Sequence, residues 1–400
     1  MKTKTVRPQL LDFPACGSSA RAVIVSLIFG CILALNVYTA SAQSEKKTVV
    51  LGITSGEADK HNVEFRRYDR MMPVYRRHGI EPSLISIEPF VSWDWSEDQI
   101  YQLLKPFHAV LLITIPYAVS DLTPALDARG KIVGAALARY VNEGGGLFVQ
   151  AQSWGTSAGE KYWNIVLAPF GIEVLHEGCC DTTRTYKGAG FGSIDYWFTK
   201  NIKPHPVTVG VERLYLPTHG YAPFPGVPAI RYSPDWEVVV AGEAEAKSFR
   251  RDAADTAFES LNLDQSGSYA SAPPVAAVRS FGKGRVVSFP LCPIHSGMNY
   301  SNPAWKNIVE SAGDRSADLP SFGMTLLMNC YRWIAEPAQT IAGFGAHVDP
   351  PYQAVKYLDK VDLDVLRFNE PEGGVKGYAY PDGQKPDFSP AGDGIRGIVG

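Results

Sequence analysis

The sequence lacks an excess of charge of either sign, and this argues against one broad class of partner. Its 38 Lys and Arg residues nearly balance 41 Asp and Glu residues, which gives a net charge of −3 at pH 7. Proteins that bind nucleic acid usually carry a marked basic excess. Neither a P-loop pattern nor a G-x-G-x-x-G pattern in a strand-turn-helix context occurs. We therefore predict no nucleic-acid partner and no nucleotide or other cofactor.

Long apolar runs are also scarce, and the mean hydropathy of the chain is −0.08. This value excludes a polytopic membrane protein. Apolar residues make up 45% of the chain and charged residues 20%, which is close to the globular average and argues against disorder or a coiled coil. The longest uncharged apolar run comprises the 17 residues of the range 22–38.

This run belongs to a predicted export signal, residues 1–42. Basic residues precede it, and the small residues Ala40, Ser41 and Ala42 follow it, as at a signal-peptidase site. We expect cleavage after Ala42 and a periplasmic or secreted protein. The alternative is an uncleaved anchor, because 17 residues are at the short end of what spans a bilayer. Contact with a membrane is expected only through this segment, if it stays uncleaved.

Cysteine is sparse as well, and removal of the signal would take two of the six with it. Those that remain are Cys179, Cys180, Cys292 and Cys330. An adjacent pair does not readily bridge to itself, so a disulfide from Cys179 or Cys180 must reach Cys292 or Cys330. Cys330 lies on an apolar helical stripe, and we expect it to be a buried free thiol.

The first half of the remaining chain alternates between strand and helix patterns. Apolar strand-like runs occur at 48–53, 83–87, 109–115 and 147–151, with helical patterns before 79 and at 97–104 and 129–143. Unbroken apolar runs are typical of parallel strands buried on both faces. We predict an α/β fold, a doubly wound and mostly parallel sheet with helices on both faces. Ligands in such sheets bind beyond the carboxyl ends of the strands.

The second half is richer in turns and harder to interpret. Strands are predicted at 236–241, 275–279 and 286–291, with a tight turn at 281–285 and a closing helix at 320–336. The polar stretch 244–272 is interpreted as a surface excursion. Residues 337–400 are interpreted as an extension of unknown role.

Four segments in order carry a family resemblance: YVNEGGGLFVQAQSW (140–154), HPVTVG (205–210), FGKGRVVSFPLCPIHS (281–296) and LPSFGMTLLMNCYRWIAE (319–336). They resemble the trehalose-utilisation (ThuA-like) branch of the class I glutamine amidotransferase-like superfamily. The resemblance covers residues 48–336 and implies a flavodoxin-like fold for that range.

The departures from the family pattern fall on its active positions. The superfamily places a nucleophilic cysteine on the elbow after the fourth strand, where this chain has Gln152-Ser153-Trp154. It also places a glutamate two residues after a late histidine, where His295 is followed by Ser296 and Gly297. A catalytic thiolate and its base act as a pair. The resemblance therefore implies the fold without glutaminase activity.

The candidate pocket combines an amide, hydroxyls, aromatic rings and an imidazole, which suits a small polar ligand such as a carbohydrate. Its expected residues are Gln152, Ser153, Trp154, His295, Ser55 and Tyr117. A second interpretation makes Ser153 and His295 the nucleophile and base of a hydrolase acting on sugar or ester bonds. No G-x-S-x-G motif or orienting third residue supports that triad. A third interpretation is a non-catalytic structural module of an envelope assembly.

Two further groups of residues are interpreted conservatively. His347 with Asp349, and His176 with the nearby cysteines, do not have the spacing of a zinc site, so no metal is predicted. The arginine pairs at 66–67, 76–77 and 250–251 are interpreted as solvated surface.

Overall fold

The computed structural model describes residues 48–54, 75, 78–86, 88–91, 94–114, 119, 121–151, 157–183, 185–187, 195–217, 227–251, 261–290 and 322–346. The signal segment and the helix expected before residue 79 lie outside these ranges, apart from isolated positions. The helices are α1 Glu88–Val91, α2 Glu97–Leu104, α3 Pro124–Asn142, α4 Ser157–Leu167 and α5 Gly323–Ala335. Within the described ranges no helix is both long and apolar enough to cross a membrane.

Strands make up most of the remaining regular structure. They are β1 Thr48–Thr54, β2 Ile80–Ser86, β3 Ala109–Ile113, β4 Gly146–Gln150, β5 Ile172–Cys180, β6 Thr185–Lys187, β7 Asp195–Thr199, β8 Leu214–Pro217, β9 Val227–Tyr232, β10 Glu237–Ala241, β11 Lys247–Arg251, β12 Leu261–Ser266, β13 Pro274–Phe281 and β14 Gly284–Ser288. They form sheets of seven, four and three strands.

The seven-stranded sheet has the order β10-β13-β14-β4-β3-β1-β2. Strands β2, β1, β3, β4 and β14 pair in parallel, and β13 and β10 continue the sheet in antiparallel pairing. Every residue of β3 and β4 is buried. These pairings confirm the expectation of an α/β fold with a mostly parallel sheet. The physical reason is that continuous apolar strands require cover on both faces.

Helix α3 begins earlier than its apolar repeat indicates. The hydroxyl of Thr123 accepts a hydrogen bond from the backbone N–H of Leu126, and Pro124 occupies the first turn. These are N-terminal signals that do not depend on hydrophobic periodicity. The predicted start at 129 was therefore late, whereas the end of the helix before the three glycines was correct.

Close packing of α5 on β4 explains one of those glycines. A Cβ atom at Gly146 would lie 2.4 Å from the carbonyl oxygen of Ile334, far inside contact distance. Only glycine lets the first residue of β4 approach the backbone of α5 so closely. This approach brings the closing helix directly onto the central parallel strands.

The interpretation of 244–272 as a surface excursion was wrong. Within this range β11 and β12 pair with each other, and β11 also pairs with β5 in a four-stranded antiparallel sheet of order β12-β11-β5-β9. Helix α4 packs against β5, where Asn164 donates to the carbonyl oxygen of Val174 and accepts from its N–H. A separate three-stranded sheet consists of β6, β7 and β8.

The first residues after the closing helix pack on the same core. Phe344 is buried with its ring 5.7 Å from that of Tyr140, centroid to centroid. The side-chain amide of Gln339 donates to the hydroxyl of Thr48 at 3.0 Å. This part of the predicted extension therefore contributes to the core, and residues 347–400 lie outside the described ranges.

The described cysteines are buried free thiols. Cys330 lies on the buried face of α5, as expected. Cys179 and Cys180, the last two residues of β5, form no disulfide with Cys330. Burial raises the pKa of all three thiols, that of Cys180 to about 12. Cys292, the other possible partner, lies outside the described residues.

Candidate functional site

The carboxyl ends of four parallel strands lie at one edge of the large sheet. Ile53 of β1 pairs with Leu112 of β3, and Ile113 of β3 pairs with Gln150 of β4. On the other side of β4, Val149 pairs with Ser288 of β14. The strands therefore end nearly level, which is the arrangement that creates a ligand crevice in parallel sheets.

The six residues expected at this edge lie outside the described part of the chain. They are Gln152, Ser153, Trp154, His295, Ser55 and Tyr117. Each belongs to a segment that follows β4, β14, β1 or β3 in the sequence. Their side-chain contacts, and the Ser153–His295 pairing in particular, stay predictions.

Polar side chains are buried at the described ends of these strands. Thr114, Gln150 and Ser288 are all inaccessible to solvent. The Tyr232 hydroxyl donates to Ser288 Oγ at 2.9 Å, and this contact links the four-stranded sheet to the carboxyl end of β14. Burial raises the pKa of Tyr232 far above the physiological range, so the phenol stays protonated and able to donate. Sequence analysis missed Tyr232, because it belongs to the other sheet.

Three residues from the segments quoted for the family resemblance meet at the opposite end of the large sheet. Arg285, at the start of β14, stacks on the Trp333 ring and donates to the Trp333 carbonyl oxygen. His205 packs against the same ring from a centroid distance of 5.1 Å. His205 Nδ1 also accepts from the Val207 N–H, where it caps the short helix Pro206–Thr208. Burial is the main cause of a lowered pKa for His205, which favours the neutral ring that this cap requires.

Comparison with known proteins adds little. The sequence matches no family model and no curated protein. Among solved structures, Cytoplasmic Protein STM1381 from Salmonella typhimurium LT2 is 13% identical, with a TM-score of 0.39 over 72% of this chain and 99% of that chain. Cytoplasmic Protein STM3548 from Salmonella typhimurium is 15% identical, with a TM-score of 0.31 over 72% of this chain and 98% of that chain. The cold-adapted β-galactosidase from Rahnella sp. R3 is 12% identical, with a TM-score of 0.29, over 61% of this chain and 28% of that chain. These similarities are too remote to carry an argument about function.

A second candidate site is a cavity of about 520 Å³ on the four-stranded sheet. Polar and charged residues make up most of its lining, which comes from β5, β9, β11, β12 and the loop after β12: Glu173, Leu175, His176, Glu177, Arg231, Arg250, Arg251, Gln265 and Ser268. The interpretation of the pair 250–251 as solvated surface was wrong for Arg251, which is only 4% exposed, and correct for Arg250.

An irregularity in β5 positions much of this lining. Val174 pairs with Ile230 and Gly178 with Pro228, so three residues of β5, 175–177, lie opposite the single residue 229 of β9. The extra residues form a bulge, and bulges turn successive side chains away from strict alternation. Leu175, His176 and Glu177 can therefore all face one cavity.

The Glu177 carboxylate is held by a dense set of hydrogen bonds. Oε2 accepts from the Ser248 hydroxyl and the Ser268 N–H, both at 2.7 Å, and Oε1 accepts from the Ser268 hydroxyl at 2.8 Å. Burial alone acts to raise the pKa of Glu177, but these donors and the nearby charge of Arg250 outweigh it. The pKa is lowered, so Glu177 is ionised at neutral pH.

A histidine–carboxylate pair lies beside these groups. His176 Nδ1 is 2.8 Å from Oε2 of Glu160, which is almost fully buried on α4, whereas 35% of the His176 side chain is exposed. A carboxylate at Nδ1 fixes the orientation of the imidazole. No three His, Cys, Asp or Glu side chains in the described ranges are close enough together to hold a metal ion.

Proposed function

We propose that this chain is a flavodoxin-like, doubly wound α/β domain that binds a small polar ligand, with carbohydrate as the expected class, and lacks glutaminase activity. The order β2-β1-β3-β4-β14 supports the fold assignment, because it corresponds to the flavodoxin order 2-1-3-4-5. The predicted export signal supports a ligand that is met outside the cytoplasm.

The level carboxyl ends of β1, β3, β4 and β14 are the observation that carries the proposal. Ser55 is the next residue after β1, and Gln152 follows β4 by two residues. Tyr117 follows β3 by four residues and His295 follows β14 by seven. We expect Ser55 and Gln152 to lie near this crevice, since each residue extends the chain by at most about 3.6 Å. The longer connections to Tyr117 and His295 leave their place at the crevice a prediction.

The state of the cysteines supports the absence of glutaminase activity. A thiol nucleophile must be accessible and must ionise near neutral pH. The three described thiols are buried with raised pKa values, and none follows β4, where the resembled family has its nucleophile. We expect no ammonia release from glutamine.

A glycan array followed by calorimetry on the full chain tests the proposal. We expect binding of at least one glycan without turnover, and substantial loss of that binding in Gln152→Leu and His295→Ala. The matched control is Ser271→Ala, which changes an exposed residue remote in sequence from the sheet edge. The absence of any glycan ligand, or equal binding by the site variants and wild type, would refute the proposal.

Two other outcomes assign the alternative functions. Hydrolysis of a glycoside or ester that is abolished by both Ser153→Ala and His295→Ala would make the chain a hydrolase with that nucleophile–base pair. Ser153→Ala with unchanged turnover would eliminate this mechanism. Absence of both ligand and turnover, with stable envelope partners in purification, would assign a structural module.

A further inference from the structure

We propose that the cavity on the four-stranded sheet is an anion-binding site that takes the carboxylate or phosphate group of a small ligand. It uses none of the residues assigned to the edge of the large sheet. Its success or failure is therefore independent of the function proposed above.

Arg250 supplies the main binding group. It is exposed, lines the cavity and pairs in register with Glu177 across β11 and β5. Its charge helps to lower the pKa of the nearby Glu177 carboxyl, but within the described ranges it forms no hydrogen bond or salt bridge to another side chain. A guanidinium presents a planar set of N–H donors that match the paired oxygens of a carboxylate or phosphate.

The carboxylates beside Arg250 already have partners. Glu177 accepts three hydrogen bonds from Ser248 and Ser268, which use both of its oxygens. Glu173 forms a salt bridge with Arg231. Because these acids are engaged, they compete less with an incoming anion for Arg250.

Arg231 and Arg251 add positive charge from neighbouring positions. The lining holds three arginines and two glutamates, an excess of one positive charge before His176 and its partner Glu160 are counted. The Arg231–Glu173 pair is open to solvent, with side chains 55% and 49% exposed. Such surface pairs are weak, so Arg231 can exchange its partner for a ligand at little cost.

The size and polarity of the cavity limit the ligand. A volume of about 520 Å³ lies within the range of small-molecule sites. Leu175 is the one apolar residue in the lining, and the aliphatic parts of the long charged side chains supply further apolar surface. A small polar metabolite with one anionic group fits this composition.

Titration calorimetry of the full chain with sodium phosphate and sodium acetate tests the site. We expect phosphate or acetate to bind, and Arg250→Met to weaken that binding about tenfold or more, as expected for loss of charge-assisted hydrogen bonds. The matched control is Lys247→Met, which removes the same charge from an exposed position of the same strand outside the cavity. This control should retain wild-type affinity within about twofold, because an exposed charge at that distance is largely screened.

A second variant tests the sign of the charge effect. Glu173→Gln releases Arg231 from its salt bridge and should strengthen binding of the same anion. Preference for phosphate or for acetate identifies which anionic group the cavity takes. The proposal is overturned if neither anion binds, if Arg250→Met binds as wild type does, or if Lys247→Met weakens binding as much as Arg250→Met.

Discussion

Replacing Glu177 with glutamine should destabilise the protein at neutral pH and leave it nearly unaffected in acid. The change keeps the size of the side chain but removes its charge. Wild-type Glu177 accepts three hydrogen bonds of 2.7, 2.7 and 2.8 Å that tie β5 to β11 and to the loop after β12. Hydrogen bonds to charged groups contribute about 1.5–3 kcal/mol each, whereas neutral ones contribute about 1 kcal/mol. Because glutamine keeps one acceptor oxygen, we expect a loss of about 2 kcal/mol at pH 7.

The pH dependence follows from the direction of the pKa shift. The pKa of Glu177 is lower in the folded protein than in the unfolded chain. Its charge therefore stabilises the fold fully above the unfolded pKa of about 4.3, and this contribution is lost as pH falls through the folded pKa. Below that point wild-type Glu177 is protonated and resembles glutamine, so the two proteins should have equal stability.

Urea denaturation of wild type and Glu177→Gln at a series of pH values from 7 to 3 measures this difference. Glu212→Gln is the control, because Glu212 is exposed and should show a difference under about 0.5 kcal/mol at every pH. A difference for Glu177→Gln that does not change with pH would show that packing, and not the charge, is responsible. A difference below about 0.5 kcal/mol at pH 7 would refute the hydrogen-bond argument itself.

Three further predictions concern the packing of the domain. Asn164→Ala removes both hydrogen bonds to the Val174 backbone and should cost about 2 kcal/mol in urea denaturation, whereas Lys161→Ala on the exposed face of α4 should cost little. Gly146→Ala places a methyl group against the Ile334 carbonyl oxygen and should cost about 1–3 kcal/mol or prevent folding; wild-type stability would contradict the close approach of α5. The three described thiols should resist alkylation in the native protein and react in urea, as read by peptide mass spectrometry; labelling of any of them within minutes under native conditions would contradict their burial.

Sequence patterns predicted the large sheet well because its strands are unambiguous. The run that became β3 is apolar throughout, and those that became β1 and β4 are mostly apolar and are bounded by turn residues or glycines. Burial on both faces leaves a signal that needs no knowledge of neighbours. The carboxyl edge of that sheet, and hence the location of the first candidate site, followed from the same pattern.

The four-stranded sheet was not predicted because its strands lack that signal. β11 reads KSFRR and β12 reads LNLDQS, and most of their residues are polar or exposed. β11 is a strand because it pairs with β5, a contact between distant parts of the sequence, and β12 is a strand because it pairs with β11. The cavity was missed for the same reason, since Glu177, Arg231 and Arg250 come together only when β5, β9 and β11 pair. A pattern of local periodicity cannot show such a pairing.

The order of strands in the large sheet also determines when the sheet can be completed during synthesis. Strands β1 to β4 emerge from the ribosome in succession, but β14, which pairs with β4 through Gly146 and Arg285, is synthesised about 140 residues later. The strands of the two smaller sheets are synthesised in between. Until then β4 presents an unpaired edge, which is a surface that invites pairing with other chains. Pairings between such distant residues form slowly. We therefore expect the docking of β14 and α5 onto β4 to be the last step of folding, and the stage at which the new chain most needs a chaperone.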